Sequence, residues 1–209
     1  MNILARIRSG SLPALAGLVL VSGGCAKQVT RVAPEQAIDL SGRWNDVDSR
    51  LVAEEIIRQS FEAEGGPSWV SRYMQAHAGR QPTVIVGTIR NRSMEHTPVG
   101  TFVRDLERAY LRSGQVQVVA SPEERDELRD ERIDQQENAS ADTRARMGRE
   151  RGASYMLQGD IESIQDREGR RSVVFYQVDM TLVDLETNQK TWVGQHKIKK
   201  YVERPRIRL

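Results

Sequence analysis

Between residues 171 and 185 the chain alternates apolar and more polar side chains, and this pattern limits the possible fold more than any other feature. The apolar members are Val174, Tyr176, Val178, Met180 and Leu182. Successive side chains of a β-strand point to opposite faces, so this spacing places the five residues on one face of a strand. A strand with one covered and one solvated face is typical of an antiparallel sheet.

Two further segments are predicted to join this strand as antiparallel neighbours. They cover residues 153–164 and 190–202, and short polar turns at 166–169 and 186–188 separate the three strands. Connections of this length join antiparallel strands as hairpins. The last third of the chain is therefore expected to form a three-stranded antiparallel unit.

Upstream of this unit, strands and helices alternate. β-Branched runs predict strands over 83–89 and 115–120. Helical spacing of apolar residues predicts helices over 50–62, 68–78, 98–113, 121–137 and 141–151. From residue 81 onward the order is β-α-β-α-α-β-β-β. We predict an α+β fold, with a mainly antiparallel sheet of about four to five strands flanked by helices.

Single residues are expected to mark the helix ends. Asp48 or Ser49 is the expected N-cap of the first helix, because short polar side chains accept hydrogen bonds from the first free amides. Thr97 is expected to cap the helix that has Pro98 in its first turn. Gly114 is expected to end that helix, since glycine readily adopts the left-handed conformation found at C-termini.

The first 24 residues have the organisation of a secretory signal. Arg6 and Arg8 precede an uncharged apolar run over 12–21, and small residues lead to Cys25. The apolar run has about ten residues, whereas a membrane-spanning helix needs roughly 20. We therefore predict cleavage between Gly24 and Cys25.

Gly23-Gly24-Cys25 resembles the bacterial lipobox, although Ser22 stands where a lipobox usually has Leu or Val. The resemblance implies that the Cys25 thiol receives a diacylglycerol and that palmitate-type acyl chains anchor the protein. Ala26 in place of Asp implies delivery to the outer membrane, with the protein facing the periplasm. An ordinary signal peptide that happens to contain a cysteine is the alternative. Because Cys25 is the only cysteine, no internal disulfide is expected.

The chain is expected to have four parts. Residues 1–24 form the signal peptide, 25–40 a tether, 41–80 a helical N-terminal addition and 81–209 the α+β domain. Without the two signal arginines, the basic residues equal the 29 acidic residues in number. A neutral mature chain gives no composition-based reason to expect nucleic acid as a partner.

The predicted helix 121–137 sorts its charges into opposite faces. Glu127, Asp130 and Glu131 lie on an acidic side, and Arg125 and Arg129 lie on the other. We expect the arginine side to lean on the domain through its aliphatic stems. The acidic side then faces outward, either as a solvated face or as a docking surface for a basic partner.

No pattern in the sequence indicates an enzyme. The three histidines, His77, His96 and His196, are not at metal-ligand spacing, and a single cysteine excludes a thiolate site. The sequence contains neither a Gly-x-Ser-x-Gly elbow nor a phosphate-binding loop. We therefore expect no catalytic residues, no metal, no cofactor other than the covalent lipid on Cys25, and no small-molecule substrate.

A family resemblance rests on several segments in order. They are Thr83–Ser93, Leu106–Ala109, Gln115–Val119, Arg151–Gly159, Gln177–Thr187 and Lys190–Val193. Together they resemble the LpoB-type outer-membrane lipoproteins, which implies a non-catalytic activator of a bifunctional penicillin-binding protein in peptidoglycan synthesis. The resemblance also implies a domain like the N-terminal domain of TolB. The related pattern of CsgG provides the alternative, a subunit of an envelope secretion or assembly complex.

One departure from this family concerns the tether. Well-known members have a long proline-rich segment after the cysteine, whereas the segment here has about 15 residues. Such a segment spans at most ~50 Å. Either a longer partner bridges the periplasmic gap and meets the domain near the membrane, or the helices over 41–80 serve something other than reach.

Overall fold

The computed structural model describes residues 29–34, 36–63, 65–146 and 150–204. These residues form four helices and five strands. In chain order they are α1 (Asp46–Phe61), α2 (Trp69–Ala76), β1 (Thr83–Asn91), α3 (Val99–Ser113), β2 (Gln117–Val118), α4 (Pro122–Asn138), β3 (Tyr155–Glu168), β4 (Arg171–Asp184) and β5 (Lys190–Glu203). The predicted α+β class is confirmed.

The five strands form one mixed sheet with the spatial order β2-β1-β3-β4-β5. β3, β4 and β5 pair in antiparallel fashion, and the β3–β4 ladder runs from Tyr155–Asp184 to Glu168–Arg171. β1 instead pairs in parallel with both β2 and β3. Parallel pairing follows from the connections, because α3 and α4 carry the chain back to the same end of the sheet. Most of the paired residues in this mixed sheet therefore belong to the antiparallel β3–β4 and β4–β5 ladders.

The alternation in β4 separates a covered face from an open one. Every second residue from Ser172 to Leu182 is buried, as the sequence pattern predicts. Of these side chains, Val178, Met180 and Leu182 share one hydrophobic core with Phe102, Leu106 and Tyr110 of α3, which are all fully buried. Removing each such side chain from water contributes about 1.5–3 kcal/mol. This burial fixes α3 on the inner face of the sheet.

Residues 41–80, which the sequence set apart as a helical addition, lie in the same compact unit as the strands. Val52 and Ile56 of α1 are fully buried in the shared core, and α1 packs on α3 and β5. The indole of Trp69 lies 5.0 Å from the ring of Tyr155 and donates to Ser60 O at 2.6 Å. α1 and α2 therefore help to build the core.

Two predicted N-caps are wrong. α1 is capped by Asn45, whose side chain accepts from Asp48 N at 3.0 Å while Asn45 N donates to Asp48 Oδ2 at 2.9 Å. This reciprocal pair starts the helix earlier than Asp48 or Ser49 would. At α3 the cap position is Pro98, which makes no side-chain cap bond, and Thr97 is buried before it. Gly114 ends α3 with φ +63°, as predicted.

The predicted helix over 141–151 is wrong for the residues that the structure describes there, 141–146 and 150–151; residues 147–149 lie outside the description. Ser140 and Thr143 close one turn through their hydroxyls, 2.7 Å apart. The backbone of Ala145 then bonds to side chains of α4 instead of continuing a helix. Small polar residues favour such local bonds over a helix. β2 is also shorter than the predicted strand 115–120.

Candidate partner-binding surfaces

α4 differs from the other three helices because none of its residues is buried. It contains eight acidic and three basic side chains over 17 residues. Leu128 and Ile133 remain about half exposed. A helix that contributes so little to the core presents its side chains to solvent or to a partner.

Local interactions explain why this segment is helical without a buried face. Ser121 accepts from Glu124 N, and Glu124 in turn accepts from Ser121 N at 2.8 Å, which forms a capping box. Pro122 occupies the first turn, where its missing amide costs no hydrogen bond. Gln135 donates to Glu131 one turn away at 2.8 Å. Helix formation here is encoded by neighbours along the chain.

The arginine side of α4 is held by one carboxylate. Arg129 donates to both oxygens of Glu150, at 2.9 and 2.8 Å, and Arg132 lies 3.4 Å from the same group. These contacts raise the pKa of Arg129 and lower that of Glu150, through hydrogen bonding and charge attraction. The guanidinium group of Arg129 therefore attaches α4 to Glu150. The sequence analysis had instead expected the aliphatic stems of the arginines to contact the domain.

The acidic face is exposed at all three positions singled out from the sequence. Glu127, Asp130 and Glu131 fall within about 100° of the helix circumference. The last turn of α4 has no basic residue and carries Glu137, although the helix dipole favours positive charge there. Glu131 supports the helix by accepting from Gln135, whereas no local hydrogen bond of this kind accounts for Glu127 or Asp130. The acidic face is suited to attract a basic surface, and a binding role for the three residues stays a prediction.

The predicted lipidation residue Cys25 and the cleavage residue Gly24 lie outside the described residues. Further along, the segment before α1 is fixed to the sheet by a three-way contact. Lys200 Nζ lies 2.6 Å from Asp48 Oδ2 and 2.8 Å from Asp39 Oδ1, and it donates to Arg43 O at 3.2 Å. We call Lys200, Asp39 and Asp48 the clamp.

Charge and burial act against each other within the clamp. Partial burial alone would lower the pKa of Lys200, but hydrogen bonds to Asp39 and Asp48 outweigh it and raise that pKa. The bond from Lys200 lowers the pKa of Asp39. The pair of Lys200 and Asp39 is therefore charged at neutral pH, and the clamp fixes where the chain enters the folded unit.

A second surface, which the sequence reasoning missed, lies on the open side of the sheet. Ile164, Phe175 and Lys199 face outward in one row, and Asp166, Val173 and Tyr201 do so in the next. Ile164 is 66% exposed and Tyr201 is 60% exposed. We call Ile164, Val173, Phe175 and Tyr201 the open-face patch. One signal in the sequence could have indicated this surface. Val173 and Phe175 are apolar although they lie between the inward-facing residues of β4 and so point to the open face.

No helix among the described residues covers this patch. The most extensive helix–strand contacts of the folded unit are those of α1 with β5 and of α3 with β1 and β2, and Trp69 of α2 packs on Tyr155 of β3; these contacts involve residues of the buried core. Apolar side chains grouped on an uncovered surface often mark an interaction site. The molecule thus presents two unlike surfaces, the acidic face of α4 and the open-face patch.

Two further features concern the residues that the structure describes. No group of three or more His, Cys, Asp or Glu side chains there is arranged to hold a metal ion. None of the described helices combines the length and the apolar character needed to cross a membrane.

Comparison with protein families gives one match. Residues 48–198 match the family model described as peptidoglycan-synthase activator LpoB. The matched range begins inside α1 and ends in β5, so it includes the core and α4. No curated protein sequence matches this chain well enough to count as a relative.

Solved structures that match this chain include two LpoB domains. The LpoB C-terminal domain from Salmonella enterica shares 13% identity, covers 73% of this chain and 99% of its own, and has a TM-score of 0.42. The LpoB C-terminal domain from Escherichia coli shares 13% identity, covers 73% of this chain and 99% of its own, and has a TM-score of 0.44. Lipoprotein GNA1162 from Neisseria meningitidis shares 19% identity, covers 57% of this chain and 83% of its own, and has a TM-score of 0.36.

Proposed function

We propose that this chain, which belongs to the LpoB family of peptidoglycan-synthase activators, binds a bifunctional penicillin-binding protein and raises its rate of peptidoglycan synthesis. The observation that carries the proposal is the family match over residues 48–198, which includes the whole sheet except its last residues. The activator acts by binding, and the synthase performs the chemistry.

The proposed anchor is a lipid on Cys25 in the outer membrane. The basic start, the short apolar run and the Gly-Gly-Cys exit support it. The clamp at Asp39 leaves about 14 residues between the lipid and the folded unit, which reach at most ~50 Å. The folded unit therefore works close to its membrane, and the synthase has to extend toward it.

The proposed docking surface is the acidic face of α4. Glu127, Asp130 and Glu131 are exposed together on a helix that the core does not need. A cluster of carboxylates attracts a basic surface, speeds encounter and loses strength as salt screens it. We therefore expect the synthase to meet α4 with a surface rich in lysine or arginine.

A reconstituted activation assay tests the proposed function. The chain from residue 26 onward is added to each bifunctional penicillin-binding protein of the producing bacterium, and glycan polymerisation is followed over time. The expected result is a faster rate with at least one synthase, saturating as the activator concentration rises. If every one of these synthases is unaffected, the proposal is wrong.

The anchor is tested separately in cells. A Cys25→Ser chain should leave the membrane fraction and appear as soluble protein, because the thiol that accepts the lipid is gone. Retention in the membrane fraction would contradict lipid attachment at Cys25, while leaving the activation result unchanged.

A further inference from the structure

A polar cavity of about 350 Å³ lies at the end of the sheet where β1, β2 and β3 begin. Three of its side chains come from these neighbouring strands and form one row. Gln117 pairs with Thr83 in the β1–β2 ladder, and the backbone amide of Ser154 donates to Thr83 O at 2.7 Å. Side chains in one row of a sheet point to the same face. One amide and two hydroxyls therefore lie side by side in this cavity.

Two arginines complete the cavity and leave part of their donors unused. Arg80 follows a turn in which Gly79 has φ +76°, and its Nε donates to His77 O at 3.3 Å. That bond leaves both terminal amino groups of Arg80 for another acceptor. Arg151, from the segment before β3, donates to the side-chain oxygen of Gln117 through one terminal amino group. Both guanidinium groups thus keep donors that no described residue accepts.

Carboxylates are absent from the described residues that line this cavity. Neither Arg80 nor Arg151 takes part in a salt bridge with another described residue. Glu150, the neighbour of Arg151, is held by Arg129 at 2.9 and 2.8 Å. Asp184, at the adjacent end of β4, accepts from two amides of its own turn. The positive charge of the cavity is therefore not neutralised from within the described part of the chain.

The buried hydroxyl of Thr83 is a second sign of a ligand. Thr83 is only 4% exposed, and its side chain lines the cavity. None of the described residues bonds to this hydroxyl, although buried polar groups are nearly always paired. The hydroxyls of Tyr73 and Ser154 lie 2.9 Å apart in the same cavity. One of these two donates to the other, so the second keeps a hydrogen for a further bond. A ligand with acceptor oxygens would satisfy these hydroxyls.

The C-terminus of α2, which ends beside the cavity, does not oppose an anion strongly. Unpaired carbonyls give a helix C-terminus a partial negative charge. Here Tyr73 O accepts from the backbone and the ring of His77, at 3.0 and 2.8 Å, and Met74 O accepts from Gly79 N at 2.8 Å. His77 O accepts from Arg80. Bonds within the turn therefore cover these carbonyls.

We propose that this cavity binds a phosphate group. Guanidinium groups bind carboxylates and phosphates alike, but the donors here come from two arginines and from hydroxyls on separate strands and on α2. A phosphate presents three acceptor oxygens in different directions and uses more of these donors than a planar carboxylate. The cavity volume is at the lower end of the roughly 300–1,000 Å³ of small-molecule sites, which leaves room for a small attached group. Free phosphate, a soluble phosphate ester and a phospholipid head group all carry this chemistry.

Isothermal titration calorimetry with inorganic phosphate, at fixed sodium chloride, tests the site. The chain from residue 26 onward is used, because it contains the whole compact unit that begins at Ala37. Wild type should bind one phosphate with a saturating curve. Arg80→Gln and Arg151→Gln should each weaken binding at least about tenfold, because a charged donor is lost. Arg170→Gln, which removes an exposed arginine from the β3–β4 turn at the other end of the sheet, should bind like wild type.

A variant of the buried hydroxyl separates binding from folding. Thr83→Val keeps the branched shape and removes the oxygen, so phosphate binding should weaken about threefold while the urea midpoint does not fall. Two results would overturn the site: wild type that shows no saturable phosphate binding, or Arg80→Gln and Arg151→Gln chains that bind like Arg170→Gln.

Two further arms distinguish the sources of the phosphate. Glycerol 3-phosphate that binds at least as tightly as inorganic phosphate indicates a soluble ester. Sedimentation with phosphatidylglycerol vesicles that Arg80→Gln loses and Arg170→Gln retains indicates a lipid head group. Each of these results supports the site, and binding of neither probe leaves free phosphate as the ligand. None of the measurements involves a synthase, so the outcome is independent of the proposed function.

Discussion

α3 and α4 are neighbours in sequence and similar in length, yet the fold uses them in opposite ways. α3 buries Phe102, Leu106 and Tyr110 completely against the sheet, whereas α4 buries no residue. α3 has no side-chain cap, while α4 has a complete capping box. Tertiary packing maintains the first helix and local hydrogen bonds maintain the second. The contrast separates residues that build the fold from residues that remain free to bind.

The largest expected effect comes from removing a core side chain of α3. Phe102→Ala should lower the free energy of unfolding by about 4 kcal/mol, because it leaves a cavity between α3, Trp44 and the sheet. Leu128→Ala in α4 is the matched change and should cost less than about 0.5 kcal/mol. Urea denaturation of both variants measures the difference. Similar losses from the two would show that α4 is part of the core.

A smaller loss of stability is expected when the clamp is broken. The clamp holds the segment before α1 on the face of the sheet that α3 also covers. Lys200→Met should lower the free energy of unfolding by about 2 kcal/mol, because it leaves the mostly buried carboxylate of Asp48 without its cation. Asp39→Asn is the milder control, since that carboxylate is largely exposed. Equal losses from the two variants would show that the Asp48 contact adds no extra stability.

The stability that the clamp contributes is expected to be confined to a limited pH range. The pKa of Lys200 is raised above 10.5 in the folded state, so its contribution is complete below that pH and disappears as the pH rises further. The pKa of Asp39 is lowered below 3.8, so its contribution is present above that pH and disappears in acid. The stability gap between wild type and Lys200→Met should stay constant from pH 5 to about 9 and shrink outside it. A gap unchanged above pH 11 would contradict this assignment.

A local effect is expected at the start of α4. Ser121→Ala removes the capping side chain and should destabilise the helix by about 1 kcal/mol. Amide hydrogen exchange should speed up in α4 and stay unchanged in α3, because the core does not depend on α4. Ser121→Asp, which preserves the cap, is the matched control. Equal acceleration in both helices would mean that they unfold together.

Sequence patterns anticipated the elements whose signals are local or strictly periodic. The alternation in β4 identified its buried face, and the helix predicted over 121–137 corresponds to α4 (Pro122–Asn138). The parallel pairing of β1 could not be predicted from the sequence pattern, because it depends on which strands, distant in sequence, lie beside β1 in the sheet. The helix over 141–151 failed because local hydroxyl bonds and bonds to α4 competed with it.

The candidate surfaces were anticipated unevenly. Glu127, Asp130 and Glu131 share a helix face, so their grouping follows from spacing alone. The open-face patch was missed because its members come from three strands, and only the register of those strands brings Ile164, Phe175 and Tyr201 together. Surfaces assembled across a sheet need the pairing before they can be recognised.

The most direct test of the central claim measures synthase activation by a chain with Glu127, Asp130 and Glu131 all changed to Lys. The control chain has Asp46, Asp142 and Glu186 changed to Lys, which alters the net charge equally on separate segments. We predict that the α4 variant folds normally but needs at least about tenfold more protein for half-maximal glycan polymerisation, while the control activates like wild type. Equal activation by the two variants would contradict docking through α4.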